Sequence, residues 1–574
     1  MKRKFFIFTF IVCAVSLIAY SQLKREAFAP AEDFPRGALL YVQIEDLPAF
    51  IRLWNESELK KNYLESRNFA EFSNQHLGRK LASRRREFNE AAGFDFDLET
   101  VSAFSQTKAA LALYDVGKIE FVFIAPVSDV IFTATKLFQN KENFTSETLA
   151  DGTEIFRKNI EADRGRQKQE LIFTHSRDRL IIATSEKLLA QTLNNINGEK
   201  SKNRLIDEPD FAALKDKVTT HIATVWANQT ALNEDYYFRR YWLMSDVENL
   251  KNIRAGIFDF EIGEEKFIEH RRFLLNESEN IAPIDTKTAE NILSFAPENI
   301  PFYQLKTANP KRLDEAVRKT IFTRKTIAEN YPKRGYRHYS SDEDYYGYYE
   351  NLGENFDEAI DETEEDFEIG EDQTKIDFAA VLSPANPRAV LTFAAPEILP
   401  APLFVNFKRA AFFSLNAPQN FDRRLFETAV TREFLNNVTI ENSGAELKWE
   451  TVSENDLPRR KLELPMLGFN VNYVLTENIL ILTSDEEFLS EILSAEKNAN
   501  KPDFEFAEMT VINLAEREQA FENIFGEIEG NTASGNFFTG NISSLFDSVK
   551  DIKKIEVRKK YLEKIIEEEV SFYK

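Results

Sequence analysis

Leu180-Ile181-Ile182-Ala183-Thr184-Ser185-Glu186 and Ile479-Leu480-Ile481-Leu482-Thr483-Ser484-Asp485 repeat one pattern. Each is a continuous apolar run, short for a helix, that ends on a Thr-Ser pair. Each follows a polar turn, Arg177-Asp178-Arg179 or Thr476-Glu477-Asn478, and so reads as the second strand of a hairpin. Each leads into an apolar helical pattern, Leu188, Leu189 and Leu193 in one case and Phe488, Leu489, Ile492 and Leu493 in the other. Ser185, and Ser484 or Asp485, fall where a helix N-cap belongs, with acids behind them to suit the positive end of the helix dipole.

Three more anchors recur in the same order. An opening strand after a proline runs Phe34-Pro35-Arg36-Gly37-Ala38-Leu39-Leu40-Tyr41 and again Ala296-Pro297-Glu298-Asn299-Ile300-Pro301-Phe302-Tyr303. Pro209-Asp210-Phe211 answers Pro502-Asp503-Phe504. A closing hairpin joins Leu250-Lys251-Asn252-Ile253 to Phe267-Ile268-Glu269, and Ile552-Lys553-Lys554-Ile555 to Ile565-Ile566-Glu567. A weaker match sets Lys108-Ala109-Ala110-Leu111 against Arg409-Ala410-Ala411-Phe412. The spacings agree once residues 331–373 are set aside as an insert. Shared order at shared spacing predicts an internal duplication, residues 30–280 and 288–574. The competing reading is two unrelated α+β domains with ordinary strand-to-helix chemistry in common.

Each copy reads as α+β. Phe258, Phe260 and Ile262 alternate with Asp259, Glu261 and Gly263, the period of a half-buried strand, and Gly263-Glu264-Glu265 suits a hairpin turn. Residues 56–91 are helical in pattern, with Leu59, Tyr63, Phe69, Phe72, Leu77, Leu81 and Phe88 on one broad face. Strands pair as hairpins without a strand-helix-strand alternation. The expected architecture is therefore two tandem pseudo-repeats of antiparallel sheet with helices packed on one face. The 50 Phe residues would fill the sheet-helix cores or, in the sharper reading, line a lipid-sized cavity.

The N-terminus carries an address. Lys2, Arg3 and Lys4 precede an apolar run from Phe5 to Ala19 that suits a signal peptide and is short for a spanning helix. Ala19 and Ser21 are the small residues at −3 and −1 of a cleavage site that would leave Gln22 first. Residues 1–29 could instead stay as an uncleaved anchor, with Lys24 and Arg25 just beyond it, and Cys13 could be a lipidated cysteine, although bulky Val12 precedes it. All of these fates export the body to the periplasm or hold it, membrane-anchored, outside the cytoplasm. Cys13 is also the one cysteine of the 574 residues, which rules out disulfides, a thiolate zinc site and a cysteine nucleophile in the body.

With 95 Asp and Glu against 72 Lys and Arg, the net charge is −23, and phosphate repulsion makes nucleic acid a poor partner. Residues 341–372 hold 15 of the acids and no Lys or Arg, which predicts a solvated, disordered loop. A cation sink and a dock for a basic partner are the functional alternatives, though Asp342-Glu343-Asp344 lacks the ligand order of a calcium loop. There is no Gly-x-Ser-x-Gly elbow, phosphate-binding glycine loop or His-Glu-x-x-His. His76, His175, His221, His270 and His338 are scattered, and Glu269 beside His270 would face the other side of a strand. The basic run Arg79, Lys80, Arg84, Arg85 and Arg86 reads as a solvated helix face or a site for anionic lipid head groups.

Pro35-x-x-Ala38-Leu39-Leu40-Tyr41, Gly93-Phe94-Asp95-x-Asp97-Leu98, the Ala109–Leu113 strand and the Leu180–Ser185 hairpin resemble an uncharacterised secreted bacterial family with a domain of unknown function. The resemblance implies an exported, duplicated α+β protein and brings no activity, cofactor or catalytic residue. Together these readings point to an exported, non-enzymatic envelope protein with no cofactor and no catalytic or metal site. It would act by binding an envelope protein or lipid. The alternative is a carrier for an apolar ligand in a Phe-rich cavity. A hydrolase with an unrecognised carboxylate pair is a third reading and would need two acids converging in a cleft.

Overall fold

The structure, a computed structural model, describes residues 29–74, 76–160, 169–198, 203–215, 222–241, 252–263, 265–296, 300–321, 376–397, 406–437, 447–454, 457–464, 469–494, 505–514 and 551–574. Outside them lie Cys13, Ala19, Ser21 and Gln22, the insert 331–373, and the Pro502-Asp503-Phe504 anchor. Among the described residues no helix is long and apolar enough to cross a membrane.

The fold is mixed α+β, and all of its strand pairings within a unit are antiparallel. It forms two compact units, unit 1 from Met1–Ile284 with Asp503–Lys574 and unit 2 from Asp285–Pro502. The strands are β1 (Leu40–Ile44), β2 (Ala109–Asp115), β3 (Glu120–Pro126), β4 (Thr145–Thr148), β5 (Glu154–Ile160), β6 (Gln169–Ser176), β7 (Arg179–Ala183), β8 (Ala223–Ala227), β9 (Ile253–Ile262) and β10 (Lys266–Leu275) in unit 1. Unit 2 holds β11 (Phe302–Thr307), β12 (Pro387–Glu397), β13 (Asn406–Leu415), β14 (Trp449–Glu454), β15 (Leu457–Leu464), β16 (Phe469–Leu475) and β17 (Ile479–Thr483). The chain then returns to unit 1 as β18 (Glu508–Asn513), β19 (Lys554–Leu562) and β20 (Ile565–Tyr573). Unit 1 contains the order β1-β2-β3-β7-β6-β5-β4. Unit 2 is ordered β11-β12-β13-β17-β16-β15-β14, the same path strand for strand.

The matched hairpins are β6–β7 and β16–β17, and both second strands sit inside their sheets. Arg177 and Asp178 both take positive φ, 49° and 56°, as the tight turn between twisted strands demands. The Glu186–Ile196 and Glu486–Ser494 helices follow. Of the two N-cap candidates in unit 2, Asp485 caps, accepting from Phe488 N at 2.7 Å, while Ser484 Oγ is buried without a partner. Ser185 holds the N-cap position without a side-chain bond. The weaker fifth match is out of register, since Ala109 opens β2 whereas Ala410 lies in β13, the counterpart of β3 in the pairing order.

Helices cover both faces of the sheets, not one. In unit 1, Ala110, Ala112, Val122, Ile124, Ile172 and Ile181 pack with Leu188, Leu189, Leu193 and Ile196. Their strand neighbours Ala109, Phe123, Phe173, Leu180 and Ile182 pack on the opposite side with Ala91, Ala92, Phe104, Phe132 and Leu137. The cause is legible in the continuous run Leu180-Ile181-Ile182-Ala183, because a strand with no polar side must be buried twice. In unit 2, Ala411, Phe413, Leu480 and Leu482 meet helical residues Val317, Phe378, Phe426 and Val430. Phe412 points the other way, to Phe393 at 5.2 Å and Phe295 at 5.7 Å, just past the Thr286–Leu293 helix.

The last strands of the expected second repeat, 288–574, group with unit 1. β20 pairs with β10 from Lys266↔Tyr573 to Leu274↔Ile565. Charge sets that choice of partner. Arg271 Nη1 lies 2.8 Å from Glu568 and Arg272 Nε 2.9 Å from Glu567, with Lys559 Nζ 3.0 Å from Glu568. Glu568 is 8% exposed. Glu568→Ala is expected to cost roughly 2–3 kcal/mol, just under the usual cost of breaking a buried pair, because Arg271 keeps Glu269 and some solvent. Equilibrium urea denaturation reads that loss.

Two local patterns also differ from expectation. β9 alternates, but Asp259 lies on the deeper side at 1% exposure, near Thr224 Oγ1, while Phe258 and Phe260 are half-buried. Those rings are covered sideways by Phe273 at 5.6 Å and Phe267 at 5.9 Å on β10. The helical stretch is broken into Leu47–Glu56, Glu58–Glu65, Arg67–Asn74 and His76–Ala92. Ser57 caps one break by accepting from Lys60 N, which competes with continuing the helix. Leu59 and Leu81 of the expected apolar face are each 44% exposed.

Candidate functional site

On the His76–Ala92 helix, Leu81, Arg84, Arg85 and Phe88 share one face by their spacing. That face lies over the sheet of unit 1. Leu111, Phe123 and Ile182 are successive cross-strand partners on β2, β3 and β7, and Leu171 of β6 and Phe121 of β3 point the same way. Phe96, Val101 and Phe104 supply the side wall. Their segment is pinned by Asn89 Oδ1, which accepts from Phe96 N at 2.9 Å, and by Asp97, which accepts from Thr100 N at 2.7 Å. Between helix, wall and sheet is an apolar pocket of about 280 Å³.

Aromatic contacts give the pocket its shape. Phe88 meets Phe121 edge-on at 5.8 Å, and Phe96, Phe104 and Phe123 form a chain at 6.1 and 6.4 Å. Phe104 and Phe123 are buried at its floor, while exposed Leu81 marks the mouth. Ile119, in the β2–β3 turn, completes the lining with φ of 58°, a left-handed conformation that a β-branched residue rarely adopts. Lys80 Nζ braces this turn from the helix, 3.2 Å from Val116 O and 4.5 Å from the Tyr237 ring centre.

The charges at the pocket are cationic. Arg84 Nη1 is paired with Glu87, but its buried Nε has no partner. Arg85 makes no hydrogen bond or ion pair among the described residues, and its side chain reaches the pocket edge. The hydrogen bonds from Thr100 hold the nearby Asp97 carboxyl below the usual range, with Lys136 and Arg85 adding smaller contributions. The basic run is thus divided. Arg84 and Arg85 line the pocket, whereas Arg79 and Arg86 face solvent.

Unit 2 has a smaller cleft of about 210 Å³ over Phe302, Val390 and Phe393. Its cations are engaged by the fold: Lys319 pairs with Glu315, Arg312 Nη1 donates to Thr307 O at 3.1 Å, and Arg409 Nη1 donates to Lys319 O at 3.3 Å. Burial lowers the Arg409 pKa.

Among the described residues, His175 and His270 lie apart and gather no site, while His221 and His338 lie outside them. His270 on β10 lies 3.6 Å from Glu261 and 3.8 Å from Glu569 on the flanking strands, while Glu269 turns to the other face and binds Arg271 at 2.6 Å. His175 lies 3.0 Å from Asp129 Oδ1 and 2.6 Å from Val127 O, stacked on Phe132. Among the described residues no three His, Cys, Asp or Glu side chains gather as a metal site would require. The cleavage-site residues Ala19, Ser21 and Gln22 lie outside the described residues. The sequence suggested a Phe-rich cavity but did not place it. Its only linear trace is Leu81 and Phe88 on the same helix face as Arg84 and Arg85.

No family model matches the chain, and no curated protein does. Among solved structures, crystal forms I and III of TP0453 overlap 45% of this chain and 82% and 84% of theirs, at 10% identity and TM-scores of 0.25 and 0.26. Crystal form IV of TP0453 overlaps 47% of this chain and 86% of its own, at 8% identity and a TM-score of 0.25. Scores of that size do not define a shared fold.

Proposed function

We propose that this chain is an exported, non-enzymatic binding protein of the cell envelope whose ligand is an apolar, lipid-like molecule held in unit 1. The observation that carries the reading is the phenylalanine-lined pocket of about 280 Å³ between the His76–Ala92 helix and the sheet. A pocket walled by aromatic and aliphatic side chains is the ordinary form of a site for an apolar ligand. The export half rests on Lys2-Arg3-Lys4 and the Phe5–Ala19 run, and on a body without cysteine. The resemblance to an uncharacterised secreted family is in keeping with it. The matched strand orders support reading unit 2 as a diverged copy of the seven-strand core of unit 1, with a smaller cleft of its own.

Native mass spectrometry of the exported protein tests the ligand. The expected result is an adduct of lipid mass that disappears on denaturation. Leu111→Trp, which fills the pocket from its sheet side, is expected to reduce adduct occupancy at least tenfold with the fold retained by circular dichroism. A bare mass from a gently prepared sample would favour the second reading, binding to another envelope component. Leu53, Leu59 and Leu64, each more than 40% exposed on consecutive helices, favour that reading.

A further inference from the structure

We propose that the unit 1 pocket selects a single-chain amphiphile with an anionic head, the tail lying over Phe121 and Phe123 and the head held by Arg84 and Arg85. This rests on the apolar-ligand reading and names the class of ligand. Volume limits the tail. At about 280 Å³ the pocket is at the lower end of ligand cavities, room for one aliphatic chain and not for the paired chains of a bilayer lipid.

Charge selects the head. The chain as a whole carries −23, so an anion would be repelled unless cations gather where it binds. Two cations border this pocket, Arg84 and Arg85 of the helix that roofs it. Arg84 has only part of its donor set engaged. Glu87 takes Nη1, and Nε is buried without a partner. An unpaired buried donor is costly, and an anionic oxygen that draws the Arg84 side chain toward the pocket rim would relieve that cost. Arg85 is free to supply a second, solvent-side contact. A carboxylate and a phosphate monoester both meet this requirement, since either accepts two guanidinium hydrogen bonds.

The test displaces dansyl-labelled undecanoic acid from the full-length exported protein with dodecanoate, dodecyl phosphate, dodecanol and dodecyltrimethylammonium. The expected order puts the better anion at least tenfold ahead of dodecanol, with the cation weakest. Whichever of dodecanoate and dodecyl phosphate displaces at the lower concentration identifies the head. Arg84→Gln with Arg85→Gln is expected to lower anion affinity about tenfold, to the level of dodecanol, and to leave dodecanol unchanged. Because Arg84 is partly buried, Arg85→Gln alone is the second variant, expected to lose about threefold with an unaltered melting curve. Dodecanol binding as well as the anions, or indifference of both variants, would overturn the proposal while the apolar-ligand reading stands. No binding of the probe or any competitor would remove both.

Discussion

Phe173→Ala is expected to cost unit 1 roughly 4 kcal/mol, within the range seen for deleting a fully buried phenylalanine. Phe173 has no exposed surface and sits at the centre of β6, between β5 and β7. Its ring stacks on Phe156 at 4.8 Å and meets Phe144 edge-on at 4.9 Å, with Phe132 at 6.4 Å. Those three rings come from a strand, a loop and the Asp129–Ala134 helix, each anchored independently, so they cannot close together over the space left behind. The cavity therefore persists, and its cost adds to the lost transfer energy. Phe88→Ala provides the contrast. Phe88 is half-buried beside a space that already exists, so its loss is expected to stay below about 2 kcal/mol. Urea midpoints of the two variants make the comparison. Equal costs would mean that the ring cluster under β6 is not packed as described.

A fragment ending at residue 280 is expected to aggregate rather than fold. Cutting there leaves β10 as a long exposed edge, with Arg271 and Arg272 stripped of Glu568 and Glu567. An unpaired flat edge is a template for other chains. Joining residue 284 directly to residue 503, which removes unit 2 and keeps β18 to β20, is expected to restore the β10–β20 pairing and with it cooperative melting. Size-exclusion chromatography and limited proteolysis of the two chains decide the matter. A well-behaved 30–280 fragment would show that the end-to-end division is the energetic one after all.

The difference between those two divisions shows how far the linear pattern reaches. Leu180–Ala183 and Ile479–Leu482 carry their own turn, strand and helix start within a dozen residues, so the hairpins and the helices after them were predictable. So was mixed α+β class, from the mixture of strand and helix periods. Burial on two faces was written in the same runs, but the alternating Phe258–Ile262 strand drew the reading toward a one-sided sheet. Leu59 and Leu81 looked like core on periodicity alone. They are exposed because the helix is broken at Ser57 and Ser66, and each segment turns its own face.

The amino-acid sequence by itself determined the local elements and their order, because each depends on neighbours in the chain. Tertiary structure alone decided that β20 closes onto β10, since cross-strand ion pairing joins residues almost three hundred positions apart. It alone decided that Arg84, Arg85, Phe88, Phe104, Phe121 and Ile182 enclose one space. Those residues come from a helix, a wall segment and two strands. No period in the chain links them, and the pocket exists only because the helix is held over the sheet without filling the gap beneath it.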